Sequence, residues 1–229
     1  DGSTDSSLDI LNRYREKDNR VVVLTQKNQY AGTARNLGIE HAKGEYIHFL
    51  DSDDYVLDYA YESIYHTAHE YDLDCLKCRG IGLNMETGKF MHLRECTLDY
   101  MPETSFMKYL KPERGSELFQ LSYTPWTGIF KRSFLMENHI RFNNLFCVND
   151  RSFTIWVYLK AKKIMLTRDL LVVYRNKMKK SLIGKRSEHF DCVWRSCDIL
   201  HGILDQEKVD KDLYDFLMDN EIGNVLLWC

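Results

Sequence analysis

Helical and strand-like hydrophobic patterns alternate along the amino-terminal half of the chain. Apolar residues at three- and four-residue spacing, as at Leu8, Leu11 and Tyr14, predict amphipathic helices, and short unbroken apolar runs predict buried strands. The predicted elements are a helix after Asp5, a strand at 20–25, a helix at 32–42, a strand at 46–50, a helix at 59–71 and a strand at 74–82. Such alternation favours an α/β fold with a parallel sheet.

The alternation weakens in the carboxy-terminal half. Residues 85–89 predict a hairpin turn, and no internal repeat or proline-rich linker interrupts the chain. The later predicted elements are a strand within 123–130 that begins near Pro125, a helix at 150–160, strands at 163–166 and 170–174, and helices at 189–204 and 213–218. We therefore expect one continuous domain over 1–185, followed by a C-terminal helical extension over 186–229.

The composition narrows the classes of function. A chain of 229 residues with 44% hydrophobic content is able to bury a core. Its formal net charge of -3 gives no broad cationic field, so nucleic acid is not an expected partner. No apolar run approaches the roughly 20 residues that cross a bilayer. The seven cysteines lack the spacing of a disulfide scaffold, so we expect a cytoplasmic protein.

One cysteine pair, Cys75 and Cys78, has the spacing of half a zinc site. A single pair of this kind lacks the second pair of ligands that makes the zinc signal strong. The pair also falls within a predicted strand, where positions three apart face opposite sides of the sheet. The structural interpretation is therefore favoured over a metal site.

An acidic cluster, Asp51, Asp53 and Asp54, directly follows the predicted strand at 46–50. Three neighbouring carboxylates repel one another, so a fold that keeps them together usually supplies a cation. Oxygen ligands suit Mn2+ or Mg2+, and such ions share substrate phosphates and waters, so one or two carboxylates suffice. We predict Asp53 as the first choice of metal ligand.

Other interpretations of the cluster remain open at this point. Asp residues commonly cap a following helix, which requires no metal. An EF-hand loop is excluded because its sixth position requires glycine and Val56 stands there. A phosphotransferase of the haloacid dehalogenase type, with Asp51 as nucleophile, also places Asp-x-Asp after an apolar strand. The motif of such enzymes resembles DxDxT or DxDxV, however, and Tyr55 stands at the fifth position of that motif in this chain.

Three segments form a recognisable set by their order and spacing: Asp1-Gly-Ser-Thr-Asp5, Gly32-Thr-Ala-Arg-Asn-Leu-Gly38 and Gly44-Glu-Tyr-Ile-His-Phe-Leu-Asp-Ser-Asp-Asp54. Together they resemble the nucleotide-sugar half of family 2 glycosyltransferases. The later segments resemble the acceptor half of bacterial surface-polysaccharide members of this family. These are the residues 126–135, 140–142, 149–153 and 173–175, followed by Ser181-Leu182.

The resemblance implies a GT-A fold, a Rossmann-like, mostly parallel sheet flanked by helices. It divides the domain into a nucleotide-sugar half at 1–122 and an acceptor half at 123–185. By this likeness Asp53 binds the metal ion, Asp51 contacts the ribose or the metal shell, and Arg35 lies near the base or the phosphates. Asp1 and Arg175 complete the expected nucleotide-sugar site. For Arg35 alone, a helix-surface salt bridge is the simpler alternative.

The implied reaction is an inverting, metal-assisted transfer of sugar from a nucleotide diphosphate to a hydroxyl of a glycan or lipid-linked acceptor. Asp150 is the expected general base. An acidic residue favoured by a helix dipole is the alternative interpretation of Asp150. Trp126 and Asn149 are the expected acceptor-binding residues, although aromatic residues at such spacing more often belong to a core.

Two departures from the family leave questions open. Asn149 stands where the family typically has Glu, and the strand, helix and strand that usually precede Asp1 are not seen, so we expect an N-terminally truncated chain. A noncatalytic binding module is therefore the second hypothesis. Basic residues at 177–186 are expected to form a solvated loop, a cover over the diphosphate or a peripheral contact with the cytoplasmic membrane face. A homodimer also stays open.

Overall fold

A computed structural model describes residues 1–94, 96–176 and 189–226, and the side chains of all of these except 224–226. The helices in this part of the chain are α1 (Ser7–Lys17), α2 (Tyr30–His41), α3 (Ala60–Glu70), α4 (Arg132–Glu137), α5 (Asn149–Lys160), α6 (Asp191–Gln206) and α7 (Lys211–Leu226). The strands are β1 (Tyr46–His48), β2 (Tyr55–Val56), β3 (Cys75–Asn84), β4 (Phe90–Met91), β5 (Gly128–Lys131) and β6 (Ile164–Asn176).

The described strands form one mixed sheet in the order β1-β5-β3-β6-β2, and β4 pairs with β3 as a hairpin. Strands β3 and β6 run parallel, whereas the other pairings are antiparallel. The expectation of a mostly parallel sheet therefore needs correction for these strands. A parallel pair requires a long crossover. The connection from β3 to β6 provides one, whereas β5 inserts between β1 and β3 in the opposite direction.

The strand predicted at 20–25 is not formed. No described strand pairs with this segment, and the side chain of Val22 is 65% exposed. An apolar run becomes a strand only where a neighbouring backbone satisfies its hydrogen bonds, and periodicity alone cannot show whether that neighbour exists. The prediction for this segment was wrong for this reason.

Most other predicted elements are present with shifted ends. The two strands predicted at 163–166 and 170–174 form the single strand β6. The strand predicted to begin near Pro125 starts only at Gly128, because Pro125–Thr127 forms a 3-10 turn first. A proline lacks the N–H that a sheet ladder needs, which delays the start of β5.

The sheet lies between two apolar layers. One layer contains Ile39 of α2 and Ile155 of α5, and the other contains Ile64 of α3. Cys75 packs in the first layer and Cys78 in the second, which confirms that the two thiols face opposite sides of β3. They are therefore unable to share a metal ion.

The C-terminal helices share the core of the preceding domain. Leu200 and Leu204 of α6 and Leu213 and Leu217 of α7 are buried in the same apolar layer as Phe153 of α5. The described part of the extension thus packs on the helix that begins with Asn149 and Asp150. Its burial contributes to holding that helix against the sheet.

A buried ion pair joins this extension to α5. The guanidinium of Arg151 lies 2.6 Å from Glu221, which is 2% exposed. Ser196 donates a hydrogen bond to the other carboxylate oxygen of Glu221 at 3.1 Å. The ring of Tyr123 lies 5.1 Å below the guanidinium. Both charges of this pair are therefore compensated inside the protein.

Replacing Glu221 by Gln should reduce the free energy of unfolding by about 3 kcal/mol, because Arg151 loses its anionic partner in a buried setting. Urea denaturation measures the loss. The control is Asp191→Asn on α6, whose exposed pair with Arg195 spans 3.9 Å and should contribute under about 1 kcal/mol. Equal losses in the two variants would show that the Arg151–Glu221 pair is no more important than a surface contact.

Candidate active site

The acidic loop, Asp51–Asp54, follows β1 and is held next to the end of β6. The backbone N–H of Asp54 donates to the carbonyl oxygen of Asp51 at 3.0 Å, which closes a turn. Strand β2 then pairs with β6 through Tyr55 and Val173. This pairing places Asp51–Asp54 beside the residues that end β6.

Arg35 connects this loop to the start of α5. Its Nη2 donates to Oδ1 of Asp51 at 2.6 Å, and its Nη1 donates to Oδ1 of Asn149 at 2.9 Å. The guanidinium also lies 5.3 Å from the ring centroid of Phe142, and the side chain is only 18% exposed. Arg35 therefore links two parts of the site and is not a helix-surface salt bridge.

Asn149 and Asp150 begin α5 after a strained residue. Val148 has a φ of 53°, a left-handed conformation that is unusual for a β-branched side chain. Asn149 is 7% exposed, whereas Asp150 is half-buried in the first turn of α5. The Arg35 bridge thus brings the first helical turn that carries Asp150 to the acidic loop.

Arg175 fixes the far side of the acidic loop. Its backbone N–H donates to Oδ1 of Asp54 at 2.8 Å, and its side-chain Nε donates to the carbonyl oxygen of Asp53. Asp54 is 8% exposed, and its Oδ2 is buried without a partner among the described residues. Burial, aided by the charges of Asp53 and Asp51, raises the pKa of Asp54 to about 6.

Trp126 lies in the 3-10 turn before β5 and is 7% exposed. Its ring stacks on Tyr174 with centroids 5.2 Å apart and planes inclined by 11°. The carbonyl oxygen of Trp126 accepts a hydrogen bond from Nε2 of His48 at 2.9 Å, since a carbonyl is only able to accept. Trp126 is therefore largely a packing residue whose turn borders β1, and its contact with an acceptor stays a prediction.

Asp1 lies apart from the network of Arg35. Its Oδ1 accepts hydrogen bonds from the side chain of Gln26 at 2.8 Å and from the backbone of Gln29 at 2.9 Å. No hydrogen bond or ion pair within the described part of the chain joins Asp1 to Asp51 or Asp53. Its role in holding a nucleotide also stays a prediction.

The donor atoms of the acidic loop fit a hard cation that keeps other ligands. Asp53 is exposed, and its carboxylate has no partner among the described residues, while Oδ2 of Asp51 is likewise left without one. The described residues contain no group of three His, Cys, Asp or Glu side chains that could hold a metal by itself. A Mn2+ or Mg2+ ion completed by phosphate oxygens and waters matches this donor set.

Sequence reasoning missed one polar residue beside this region. Lys77, in β3, is 1% exposed, and its Nζ donates hydrogen bonds to Thr124 and Thr127 at the turn that carries Trp126. The available signal was a lysine in the centre of an apolar run. The predicted basic stretch at 177–186 and Ser181-Leu182 lie outside the described residues.

Comparison with known proteins decides the family. The model of "Glycosyl transferase family 2" matches residues 1–137 of the chain. The chain belongs to glycosyltransferase family 2. This finding confirms the resemblance predicted from the Asp1, Arg35 and Asp53 segments.

Curated relatives of this family 2 chain include two enzymes named for poly(ribitol-phosphate). The Bacillus spizizenii poly(ribitol-phosphate) beta-glucosyltransferase is 32% identical over 90% of the chain and 30% of its own length. The Staphylococcus aureus beta-N-acetylglucosaminyltransferase TarS is 28% identical over 95% of the chain and 37% of its own length. The chain thus spans about a third of the length of these relatives.

Solved structures confirm the GT-A fold class of the family 2 chain. A fragment of S. aureus TarS in complex with UDP-GlcNAc has a TM-score of 0.63 at 22% identity, covering 97% of the chain and 69% of that fragment. At this identity the likeness concerns the fold alone. In addition, none of the helices in the described part of the chain is both long and apolar enough to cross a bilayer.

The buried carboxylate of Asp54 predicts a pH dependence of stability. Its pKa of about 6 lies above the ordinary 3.8, so the folded state holds the proton more tightly than the unfolded state. This contribution to the free energy of unfolding is therefore present below the ordinary pKa and is lost as the pH rises through about 6. Asp54→Asn should remove it.

Urea denaturation of the wild type and Asp54→Asn at acidic and neutral pH tests this dependence. The wild type should lose more stability than Asp54→Asn over the same rise in pH, because only the wild type ionises a buried carboxyl there. The same change with pH in both proteins would show that Asp54 ionises as it does in water.

Proposed function

We propose that the protein transfers a sugar, with inversion, from a nucleotide diphosphate to a hydroxyl group of a glycan or lipid-linked acceptor. The observation that carries this proposal is the bridge from Asp51 through Arg35 to Asn149. It joins the loop with metal-binding chemistry to the helical turn that carries Asp150. Family membership and the relatives named for poly(ribitol-phosphate) support an acceptor rich in hydroxyl groups.

The donor side of the proposed site consists of the acidic loop and two arginines. Asp53, with Asp51 as second ligand, would hold Mn2+ or Mg2+, and the ion supplies positive charge to the diphosphate when bound. Arg35 orients Asp51, and its planar guanidinium suits phosphate oxygens nearby. The Nε of Arg175 is engaged with the loop backbone, which fixes the loop and leaves the outer nitrogens of this side chain for a phosphate.

The acceptor side centres on Asp150. In the proposed step its carboxylate takes the proton of the acceptor hydroxyl while that oxygen bonds to the anomeric carbon and the bond to the diphosphate breaks. The neighbouring Asn149 is neutral and receives Arg35, so it adds no negative charge next to the base. Trp126, stacked on Tyr174, borders this side and is the proposed acceptor contact.

A noncatalytic binding module is the second candidate. Asn149 in place of the family's usual Glu favours it, because one acidic group beside Asp150 is absent. A phosphotransferase using Asp51 has less support, since Oδ1 of Asp51 lies 2.6 Å from the guanidinium of Arg35 and a paired carboxylate is a weaker nucleophile. Measurable sugar transfer distinguishes the first candidate from both of these.

Two matched substitutions test the proposal in the protein at its natural length. Asp53→Asn should weaken the binding of uridine diphosphate with Mn2+ by at least about tenfold, because a carboxylate ligand is lost. Asp150→Asn should leave that binding within about twofold and reduce the transfer rate by about a hundredfold or more, because only the proton acceptor is lost. Calorimetry measures binding, and release of the nucleotide diphosphate measures transfer.

Asp58→Asn is the control, since Asp58 is an exposed aspartate just beyond the acidic loop. It should match the wild type in both measurements. Transfer that persists in Asp150→Asn would reject Asp150 as the base. Binding that is unchanged in Asp53→Asn would reject the metal and diphosphate site.

A further inference from the structure

Lys77 is a fully buried cation in the centre of β3. It is 1% exposed, and its Nζ donates hydrogen bonds to the carbonyl oxygen of Thr124 at 2.6 Å and to Oγ1 of Thr127 at 2.7 Å. None of the carboxylates described forms an ion pair with it. Buried lysines without such a partner are rare, because hydrogen bonds to neutral groups only partly offset the loss of hydration. The unfavourable loss of hydration at Lys77 therefore needs an explanation.

The fold provides a specific space for the Lys77 side chain. A Cβ atom at Gly128 would lie 2.7 Å from the carbonyl oxygen of Leu76 and 3.1 Å from Cδ of Lys77. Glycine at 128 therefore lets β5 approach β3 closely while the lysine passes alongside. The buried position of Lys77 is thus matched by its neighbour on the paired strand.

The hydrogen bonds of Lys77 hold the turn that carries Trp126. Thr124 precedes the 3-10 turn and Thr127 is its last residue, and Oγ1 of Thr127 also donates to the carbonyl oxygen of Thr124 at 3.0 Å. The ammonium group thus ties together both ends of the turn. A displacement of these ends would move the ring of Trp126 from its stack on Tyr174.

The field of Asp150 reaches Lys77 from α5. Burial lowers the pKa of Lys77 to about 8, while Cys75 and Cys78 on its own strand and Asp150 act in the opposite direction. The lysine therefore stays mostly protonated at neutral pH.

We propose that Lys77 is a positioning residue for the acceptor side of the site, which holds the Thr124–Thr127 turn and with it the ring of Trp126. This role rests on the proposed function, because it takes Trp126 as an acceptor contact. Lys77 itself neither touches the donor nor transfers a proton.

Lys77→Met removes both hydrogen bonds from the lysine to the turn, whereas Thr127→Val removes the hydroxyl that accepts from Lys77 and donates to Thr124. Both variants should raise the KM for the acceptor by about threefold or more, with a smaller change in kcat, because the ring of Trp126 is displaced while the donor side is unchanged. Uridine diphosphate binding with Mn2+ should stay within about twofold in both. Steady-state transfer kinetics measure KM and kcat, and calorimetry measures the binding.

An unchanged acceptor KM in Thr127→Val would overturn the proposal, and so would an unchanged acceptor KM in a Lys77→Met variant that melts cooperatively. Should Lys77→Met fail to melt cooperatively, Thr127→Val, which keeps the lysine, decides the test alone. A wild type without transfer, or an active Asp150→Asn, would instead reject the proposed function.

Discussion

The contact between Arg35 and its two partners is the interaction on which the site depends. One guanidinium donates to Asp51 at 2.6 Å and to Asn149 at 2.9 Å, across sequence separations of 16 and 114 residues. At 18% side-chain exposure these charge-assisted bonds are screened less than those of a surface pair. These two bonds connect the acidic loop directly to the first turn of α5.

Each partner of Arg35 is itself held by the fold. Asp51 begins a turn that leads into β2, and β2 pairs with β6. Arg175 also donates a hydrogen bond to the backbone of this turn. Asn149 begins α5, and the C-terminal helices pack on α5 through apolar contacts and the buried Arg151–Glu221 pair. The strained backbone of Val148 persists because the surrounding structure over-determines it, a pattern that is common at functional sites.

Local patterns in the sequence predicted the helices well and the sheet less well. Helix α3 and the start of α5 lie close to their predicted ranges, since apolar spacing reports directly on a helix. The antiparallel place of β5 between β1 and β3 depends on contacts distant in sequence, which no local pattern contains. The segment at 20–25 failed for the same reason, because its apolar residues do not show whether a paired strand exists.

For the candidate site, too, the sequence indicated residue types but not the contacts between them. The motifs identified Arg35, Asp51 and Asp150 by residue type, yet they did not show that Arg35 contacts Asn149. The burial of Lys77 was also missed, because a strand covered on both faces lacks the alternation of apolar and polar residues that marks its buried positions. The position of Lys77 in an apolar run was the only local sign of its burial. Candidate residues could thus be proposed from short motifs, whereas the contacts between them required the fold.

The most direct test of the account is steady-state sugar transfer by Arg35→Lys in the protein at its natural length. Lysine keeps the charge but presents a single ammonium group, which cannot reproduce the planar bridge to both Asp51 and Asn149. The account predicts a fall of about a hundredfold in kcat/KM for the donor, with cooperative unfolding retained. A kcat/KM equal to that of the wild type would contradict it, because the bridge would then have no part in the reaction.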